Sequence, residues 1–374
     1  CIRDSVNHEL TADVGYAYTL ANGTALTGAR VSSISLNRWT RKVLDAGLAY
    51  DTIYNRAGEI VDDSSDLENG GLNRLCSARG VAAGERGFED DIFFTGEETS
   101  NGTEWALDVK NGALWAAPEL GRAAWESVAA VETGDAETVG LLVGDDVASA
   151  PLYYYVGQKG GSDFLGRNGL AEGQLYCWAS QTGELSPEDF NGTGNALAGQ
   201  WLPLEVRDEA QANQAGYDAL GYKDGDTLRS EADAIGCFSF SRPEDIHEDP
   251  ENPTRAVVAS TGRGGTFPSD NWGTLYLVDV DTADLEILLD SDDPQFQDFG
   301  VRSADNLTWA KDGKIYVQED RSHVIRRPKD EAGSDVAADP AACRDRAFGG
   351  RSESEASLWE LDPSALPANT PSLR

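Results

Sequence analysis

Pairs of carboxylates close several apolar runs of this sequence. Three pairs end such a run: Glu97 and Glu98 in "DIFFTGEET", Asp145 and Asp146 in "VGLLVGDD", and Glu319 and Asp320 in "YVQED". Calcium and other hard divalent cations need cages of several oxygen ligands, which carboxylates supply. Taken singly, each pair is typical of a solvated hairpin turn. Taken together, the pairs favour one shared cation site.

The segment "SRPEDIHEDP" (241–250) combines an arginine with several acids. The planar guanidinium of Arg242 can hold a carboxylate or a phosphate through two hydrogen bonds. Pro243 fixes the backbone and leaves Glu244 and Asp245 facing different ways. We expect Arg242 and Glu244 to point into a site, although a salt bridge without function is the alternative. The later acids are expected to be solvated loop charges: Glu248, Asp249 and Glu251.

Cys76 lies in "GLNRLCSARG", between Arg74 and Arg79. Neighbouring cations favour a thiolate, and a thiolate binds transition metals rather than calcium. A buried free thiol or a disulfide partner is the alternative interpretation. The sequence has neither GxSxG nor HExxH, and its three histidines are too few for a histidine-rich zinc site.

Short aromatic strands separated by turns must position these residues. Examples are "NGALWAA" (111–117), "PLYYYVG" (151–157), "GQLYCWA" (173–179), "GTLYLVDVD" (273–281), "GKIYVQED" (313–320) and "ASLWELD" (356–362). Such runs predict an all-β sandwich, barrel or propeller, and their irregular spacing with acidic loops favours a β-propeller with an acidic axial pocket. One helix is predicted over 226–236, ending at Gly236. No linker divides the chain, so we expect a single domain over 1–374.

Charge and composition exclude some partners. The 374 residues carry a net charge of −35, which repels nucleic acid and anionic membranes. This acidity is typical of a solubility device, and calcium binding is compatible with it. No apolar stretch is long enough to span a bilayer. The sequence has no methionine and no signal segment before Cys1, so we expect a mature or incomplete chain.

Several segments, taken in order, carry a family resemblance: "NHEL", "NRWTRKVLDAGLAYDTIYNR", "RLC", "TGEE", "LGRAAWES", "VGDD", "LYYYVG", "RSEADAIGCFSFSRPEDI" and "SADNLTW…GKIYVQED". Together they resemble the PhoX family of secreted alkaline phosphatases over most of residues 6–320. The resemblance implies a six-bladed β-propeller whose axial pocket holds iron (Fe3+) and calcium (Ca2+) and cleaves phosphate esters. It also implies a location outside the cytoplasm: secreted, periplasmic or on the cell surface.

The resemblance implies roles for individual residues. Arg242 matches a phosphate-contacting arginine, and Cys76 matches an iron-binding cysteine. The matched metal-binding positions are Glu97 or Glu98, Glu126, Asp145 or Asp146, Glu244, Asp305, and Glu319 or Asp320. If Cys76 binds metal it must stay out of disulfides, so we expect Cys177 to pair with Cys237, leaving Cys1 and Cys343 as a possible second pair.

Some features depart from the family. The segment after Cys76, "SARGVAAGERGFEDDIFF", replaces a usual glycine-rich stretch, Trp125 stands where histidine is usual, and the first part of the family's sequence is unmatched. The resemblance still implies a metal-dependent phosphomonoesterase that acts on a small phosphate ester. The alternatives are a non-catalytic, calcium-stabilised propeller that serves as a surface or assembly protein, and a calcium-only propeller hydrolase.

Overall fold

The structure, a computed structural model, describes residues 2–294, 301–319 and 358–365, together with the backbone of 372–373. Strands dominate these residues, and two α-helices interrupt them. The predicted all-β class is therefore confirmed. Cys1, Asp320 and Cys343 lie outside the described residues.

The strands are, in chain order, β1 (Ile2–His8), β2 (Tyr18–Thr19), β3 (Ala25–Leu26), β4 (Arg30–Leu36), β5 (Val43–Leu48), β6 (Thr52–Tyr54), β7 (Leu75–Val81), β8 (Ile92–Asp108), β9 (Ala113–Ala116), β10 (Arg122–Val131), β11 (Thr138–Asp145), β12 (Ala148–Ala150), β13 (Tyr153–Gln158), β14 (Gly173–Ser180), β15 (Ala196–Leu197), β16 (Gly199–Leu204), β17 (Phe240–Ser241), β18 (Pro243–Glu248), β19 (Arg255–Ser260), β20 (Thr274–Asp279), β21 (Leu285–Asp290), β22 (Ala304–Trp309), β23 (Ile315–Glu319), β24 (Leu358–Leu361) and β25 (Ser372–Leu373). The helices are α1 (Phe164–Arg167) and α2 (Gly225–Ile235). Short 3-10 turns occupy Ser64–Asp66, Glu85–Gly87, Pro118–Leu120 and Glu209–Gln211.

Most strands pair with an antiparallel neighbour close in sequence. One sheet has the order β1-β4-β5, another β15-β21-β20-β19-β18, and another β22-β23-β24-β25. The largest runs β16-β14-β13-β11-β10-β8-β9-β6, and β7 also pairs with the long strand β8. Two-stranded pieces are formed by β2 with β3 and by β12 with β17. Each predicted aromatic strand lies in one of the four larger sheets.

Local sequence agrees with the burial of one strand and with the turn that joins two others. The strand β10 is buried along its whole length, which fits its nearly continuous run of small and apolar residues. Between β22 and β23, the amide of Ala310 donates to the carbonyl of Lys314 at 2.8 Å, which closes a tight hairpin. Gly313 in this turn has a φ of 80°, a conformation that glycine adopts without a steric penalty.

Five strands, which we call the inner strands, lie side by side without pairing with one another: β1, β7, β10, β18 and β22. Each contacts the next in this order. Apolar layers fill the spaces between the sheets behind them. One layer joins Val31 of β4 to Leu114 of β9, and another joins Val257 of β19 to Ile315 of β23. The inner strands therefore bring distant parts of the sequence next to one another.

The helix α2 confirms the predicted helix and begins one residue earlier. The side chain of Asp224 caps it by accepting from the amide of Thr227 at 2.8 Å. Gly236 ends it with a φ of 91°. Cys237 follows directly and forms a disulfide with Cys177 of β14, with their Cα atoms 5.9 Å apart. This confirms the predicted pairing, and Cys76 is a free thiol.

Candidate metal and phosphate site

β-Bulges turn four of the predicted ligands out of the regular strand pattern. Each falls where the register of an inner strand shifts against its neighbour: Cys76 in β7, Glu126 in β10, Glu244 in β18 and Asp305 in β22. A bulge adds a residue to one strand and re-aims its side chain. Since these inner strands adjoin, the four bulges bring their side chains together.

Glu126 and Cys76 form the buried part of this cluster. Glu126 is 3% exposed, and the thiol of Cys76 donates a hydrogen bond to its carboxylate. Burial raises the pKa of Glu126 well above the usual range, and the nearby charges of Glu98 and Asp146 raise it further. These crowded, buried carboxyl groups therefore favour their protonated forms unless a cation neutralises them.

Glu98 connects two sides of the cluster. It lies at a break in the pairing of β8 with β10, where Ala124 pairs with Glu98 and Ala123 with Gly102. The side chains of Glu98 and Asp146 share a hydrogen bond, and burial with the charge of Asp146 raises the pKa of Glu98 to about 7. Asp146 follows the end of β11, so residues from two further strands enter the cluster.

Glu9 also belongs to the cluster, although the sequence analysis assigns it no role. Ligand atoms of Glu9, Cys76 and Glu98 all lie within 4.8 Å of one another. Glu9 directly follows the inner strand β1, within the "NHEL" segment. The position of this segment in the family resemblance is the signal that could have identified it.

Arg242 contacts two carboxylates of the cluster. Its Nε donates to Asp146 Oδ1 at 2.7 Å and its Nη2 to Asp146 Oδ2 at 2.9 Å, while Nη2 lies 2.7 Å from Glu244 Oε1. Arg242 has a φ of 69°, the left-handed region that a non-glycine residue seldom adopts. Glu244 is 3% exposed and shares a hydrogen bond with Asp305. Arg242 and Glu244 thus point into the site, as predicted.

Arg74 makes a similar contact at the other side. Its Nε and Nη2 donate to Glu9 Oε1 at 3.2 and 2.9 Å, and Nη2 also donates to Glu98. Arg79 instead contacts Glu248. Burial and the carboxylate of Glu126 raise the pKa of the Cys76 thiol far above its ordinary value. Both effects oppose ionisation of the thiol, contrary to the prediction that the two arginines favour a thiolate.

The donor set fits hard cations together with one thiophilic metal. Six carboxylates and one thiol converge: Glu9, Glu98, Glu126, Asp146, Glu244, Asp305 and Cys76. Two arginines contact this group, so the carboxylates outnumber the positive charges beside them. Oxygen ligands in this number suit Ca2+, and the thiol is a ligand type that Ca2+ does not use.

A cavity of about 590 Å3 adjoins Cys76 between the inner strands. Asn7, Ser77, Ser127 and Thr308 are among the residues that line it. Of the described residues that line this cavity, Asp245 is the one carboxylate. Carboxylate side chains are therefore concentrated in the cluster beside the cavity and are not spread along the cavity wall.

Comparison with known proteins identifies the family. The family model described as "Alkaline phosphatase PhoX" matches residues 115–338, more than half of the 374 residues. The chain belongs to the PhoX alkaline phosphatase family. The matched range includes Glu126, Asp146, Arg242, Glu244 and Asp305. A search of curated protein sequences found no match.

A solved PhoX structure has a similar fold. Pseudomonas fluorescens PhoX in complex with vanadate, a transition state analogue, aligns with a TM-score of 0.58 at 16% identity, over 91% of this chain and 69% of that one. A putative TolB from Agrobacterium tumefaciens aligns with a TM-score of 0.34 at 9% identity, over 91% of this chain and 87% of that one. A Synechocystis apocarotenoid oxygenase mutant aligns with a TM-score of 0.31 at 9% identity, over 100% of this chain and 77% of that one. The last two scores are too low to indicate a shared fold.

The structure separates the members of two predicted acidic pairs in this PhoX family protein, Glu97 from Glu98 and Asp145 from Asp146. Glu97 lies outside the cluster and accepts from the amides of Asn73 at 2.8 Å and Thr103 at 3.2 Å. Asp145 accepts from Arg229 and from the amide of Ala124. These two carboxylates turn away because neighbouring residues of a strand alternate between its faces.

The third pair has one described member. Glu319 Oε1 accepts from the amide of Arg302 at 2.8 Å and from Trp359 Nε1 at 2.7 Å. These contacts hold the C-terminal end of β23 to a neighbouring loop and to β24. Asp320 lies outside the described residues.

The acids after Glu244 differ from the prediction. Glu248 and Asp249 are each 4% exposed, and they are not solvated loop charges. Glu248 contacts Arg79, and Asp249 Oδ2 accepts from Arg255 Nη2 at 2.8 Å. The strand β18 extends to Glu248, so these positions are buried against other strands. Glu251 is exposed, as predicted.

Proposed function

We propose that this PhoX family protein is a metal-dependent phosphomonoesterase that acts outside the cytoplasm on small phosphate esters. The observation that carries the proposal is Arg242, whose guanidinium lies on Asp146 and Glu244 at the edge of a cluster rich in carboxylates. Such a site offers a guanidinium that can donate two hydrogen bonds to a phosphate, beside carboxylates that can bind several cations.

The ligands divide by their chemistry. Cys76 and Glu126, which contact each other, would hold Fe3+, and Asp146, Glu244 and Asp305 would hold Ca2+. Bound cations supply charge neutralisation at the phosphate oxygens and a nucleophilic oxygen near neutral pH.

Arg242 would bind and orient the phosphate. Once the carboxylates of Asp146 and Glu244 are engaged by cations, its guanidinium can donate to phosphate oxygens instead. Donors aimed at the charge that develops on these oxygens stabilise the transition state more than the ground state. Removing Arg242 should therefore lower kcat as well as affinity.

We further propose one domain built as a six-bladed propeller. The side-by-side inner strands with apolar layers behind them support a radial arrangement of sheets, and the family resemblance supports the number of blades. The Cys177–Cys237 disulfide supports a compartment that is oxidising. In the part of the chain that the structure describes, no helix has the length and apolarity needed to cross a bilayer.

The test is hydrolysis of an aryl phosphate by purified protein supplied with Fe3+ and Ca2+, with metal content measured on the same sample. We expect turnover, with iron at about one equivalent or more. An aryl carboxylic ester should be a poor substrate. Arg242→Lys keeps the charge but loses the fork, so activity should fall by roughly tenfold or more.

Arg255→Lys is the matched control, because Arg255 makes a comparable contact with Asp249 away from the cluster. It should retain activity. Bound calcium without iron, and no turnover of the aryl phosphate, would favour the non-catalytic propeller. Turnover of the aryl ester alone would favour a calcium-only hydrolase of another kind.

A further inference from the structure

Two arginines occupy equivalent positions around the cluster. Arg74 comes two residues before Cys76, and Arg242 comes two residues before Glu244. Both have left-handed backbone conformations, with φ of 48° and 69°. Each stands immediately before the bulge that carries its ligand. Backbone strain of this kind is retained where surrounding structure or function requires it.

The contacts of the two arginines are also equivalent. Arg74 donates to Glu9 and Glu98, whereas Arg242 contacts Asp146 and Glu244. The two sets meet, because Glu98 and Asp146 share a hydrogen bond. A continuous line of side chains therefore runs from one guanidinium through two carboxylates to the other.

The arginines form the outer layer of this line. The side chain of Arg74 is 41% exposed and that of Arg242 is 22% exposed, whereas those of Glu98 and Asp146 are 11% and 8% exposed. Cations that enter the cluster would bind the buried carboxylates and compete with both guanidiniums for them. Each guanidinium would then be available to an anion arriving from solvent.

We propose that Arg74 is a second phosphate-contacting residue, which with Arg242 holds a phosphomonoester dianion from two sides. This inference rests on the proposed function and deepens it. Together the two guanidiniums provide donors for more than one phosphate oxygen. They favour a terminal phosphate, whose free oxygens can meet both forks, over a diester with fewer free charged oxygens.

Calorimetric titration of the metal-loaded protein with inorganic phosphate tests the inference without relying on turnover. Arg74→Ala should weaken phosphate binding by roughly tenfold or more, the usual loss for a charge-assisted hydrogen bond. Arg74→Lys should bind with intermediate affinity. Arg207→Ala is the matched control, because Arg207 is 37% exposed and pairs with Glu209 on the surface, and it should bind phosphate as the parent does.

Metal content, measured on each variant, separates phosphate contact from support of the metals. Unchanged metal content with weakened phosphate binding supports the inference. Phosphate affinity within about twofold of the parent in Arg74→Ala overturns it. Loss of metal in both Arg74→Ala and Arg74→Lys, with normal phosphate affinity in the fraction that retains metal, also overturns it and assigns Arg74 to the metal site.

The parent protein separates this inference from the proposed function. If it binds phosphate through Arg74 but hydrolyses no ester, the proposed function fails and the assignment of Arg74 stands. If it hydrolyses phosphate esters and Arg74→Ala binds phosphate normally, only the assignment fails. A metal-loaded parent that binds no phosphate contradicts both.

Discussion

Arg229 Nη1 donates to both carboxylate oxygens of Asp145, at 3.1 and 2.9 Å. The side chain of Asp145 is fully buried, and that of Arg229 is 10% exposed. Asp145 also accepts from the amide of Ala124, whose carbonyl accepts from the amide of Asp146. The helix α2 thus fixes the strand ends from which Glu126 and Asp146 enter the cluster.

Arg229→Gln should destabilise the protein, because it leaves the buried Asp145 carboxylate without its charge partner. We expect a loss of about 3–5 kcal/mol in the free energy of unfolding. Denaturant unfolding of the metal-free protein measures it. Arg207→Gln, which removes an exposed pair, should cost no more than about 1 kcal/mol. Equal stability of the Arg229 variant and the parent would mean that this ion pair does not hold the strand ends.

Removal of metals should lower the melting temperature by many degrees. The carboxylates of the cluster repel one another when no cation lies between them, and ions that bind only the folded state stabilise it. Thermal unfolding with and without excess chelator, with metal loss verified by elemental analysis, measures the effect. Readdition of Ca2+ should restore most of it. An unchanged melting curve in fully stripped protein would argue against a shared cation site.

Cys76→Ser should lose iron while it retains calcium. The sulfur of Cys76 is the donor atom in the cluster that suits a transition metal, whereas the carboxylate oxygens suit Ca2+. Elemental analysis of the purified variant gives both contents in one measurement. The surface variant Ser65→Ala should keep the parent's metal content. If Cys76→Ser binds as much iron as the parent, the iron ligands must lie elsewhere.

The stability of the protein should fall as pH rises above the ordinary pKa of a glutamate, in part because of Glu104. Glu104 is 1% exposed, and burial raises its pKa well above 4.5. The folded protein therefore keeps a proton that the unfolded chain loses, so raising the pH favours the unfolded chain. Glu104→Gln should flatten the pH dependence by up to about 1.4 kcal/mol per pH unit.

Denaturant unfolding of the metal-free protein between pH 5 and pH 8 measures this slope. The exposed residue Glu59 provides the control, and Glu59→Gln should leave the slope unchanged. A Glu104→Gln variant with the parent's slope would show that Glu104 is ionised in the folded protein.

Glu248→Gln should reduce stability without changing the chemistry of the site. It weakens a buried contact with Arg79, and we expect a loss of about 2 kcal/mol in the free energy of unfolding. Glu251→Gln, at an exposed position three residues later, should stay within about 0.5 kcal/mol of the parent. Phosphatase activity per folded molecule should be unchanged in both variants. A loss of activity in Glu248→Gln that exceeds its unfolded fraction would place Glu248 in the site.

The sequence predicts the strands well because their signals are local. Aromatic runs such as 151–157 and 273–281 end in turn residues, and the helix before Gly236 carries its own caps. The pairing of Cys177 with Cys237 and the inward direction of Arg242 and Glu244 also agree with the sequence interpretation.

The choice within each acidic pair depends on contacts made elsewhere in the chain. Asp145 is held by Arg229, 84 positions later, and Glu98 enters the cluster because β8 loses its register against β10. Glu9 is a single acid next to a short strand, so its role depends on the packing of β1 against β7. Neither the packing of one strand against another nor the position of a β-bulge can be predicted from two neighbouring acids.

The bulges on separate inner strands have a consequence for biosynthesis. Cys76, Glu98 and Glu126 are made early in the chain, but Glu244 and Asp305 join them only when the later sheets have packed. A nascent or truncated chain therefore offers a thiol and a few acids, which would bind metals weakly and without selectivity. If the cluster holds the two kinds of ion proposed above, their correct loading would follow the docking of the late sheets, and bound iron would report that maturation is complete.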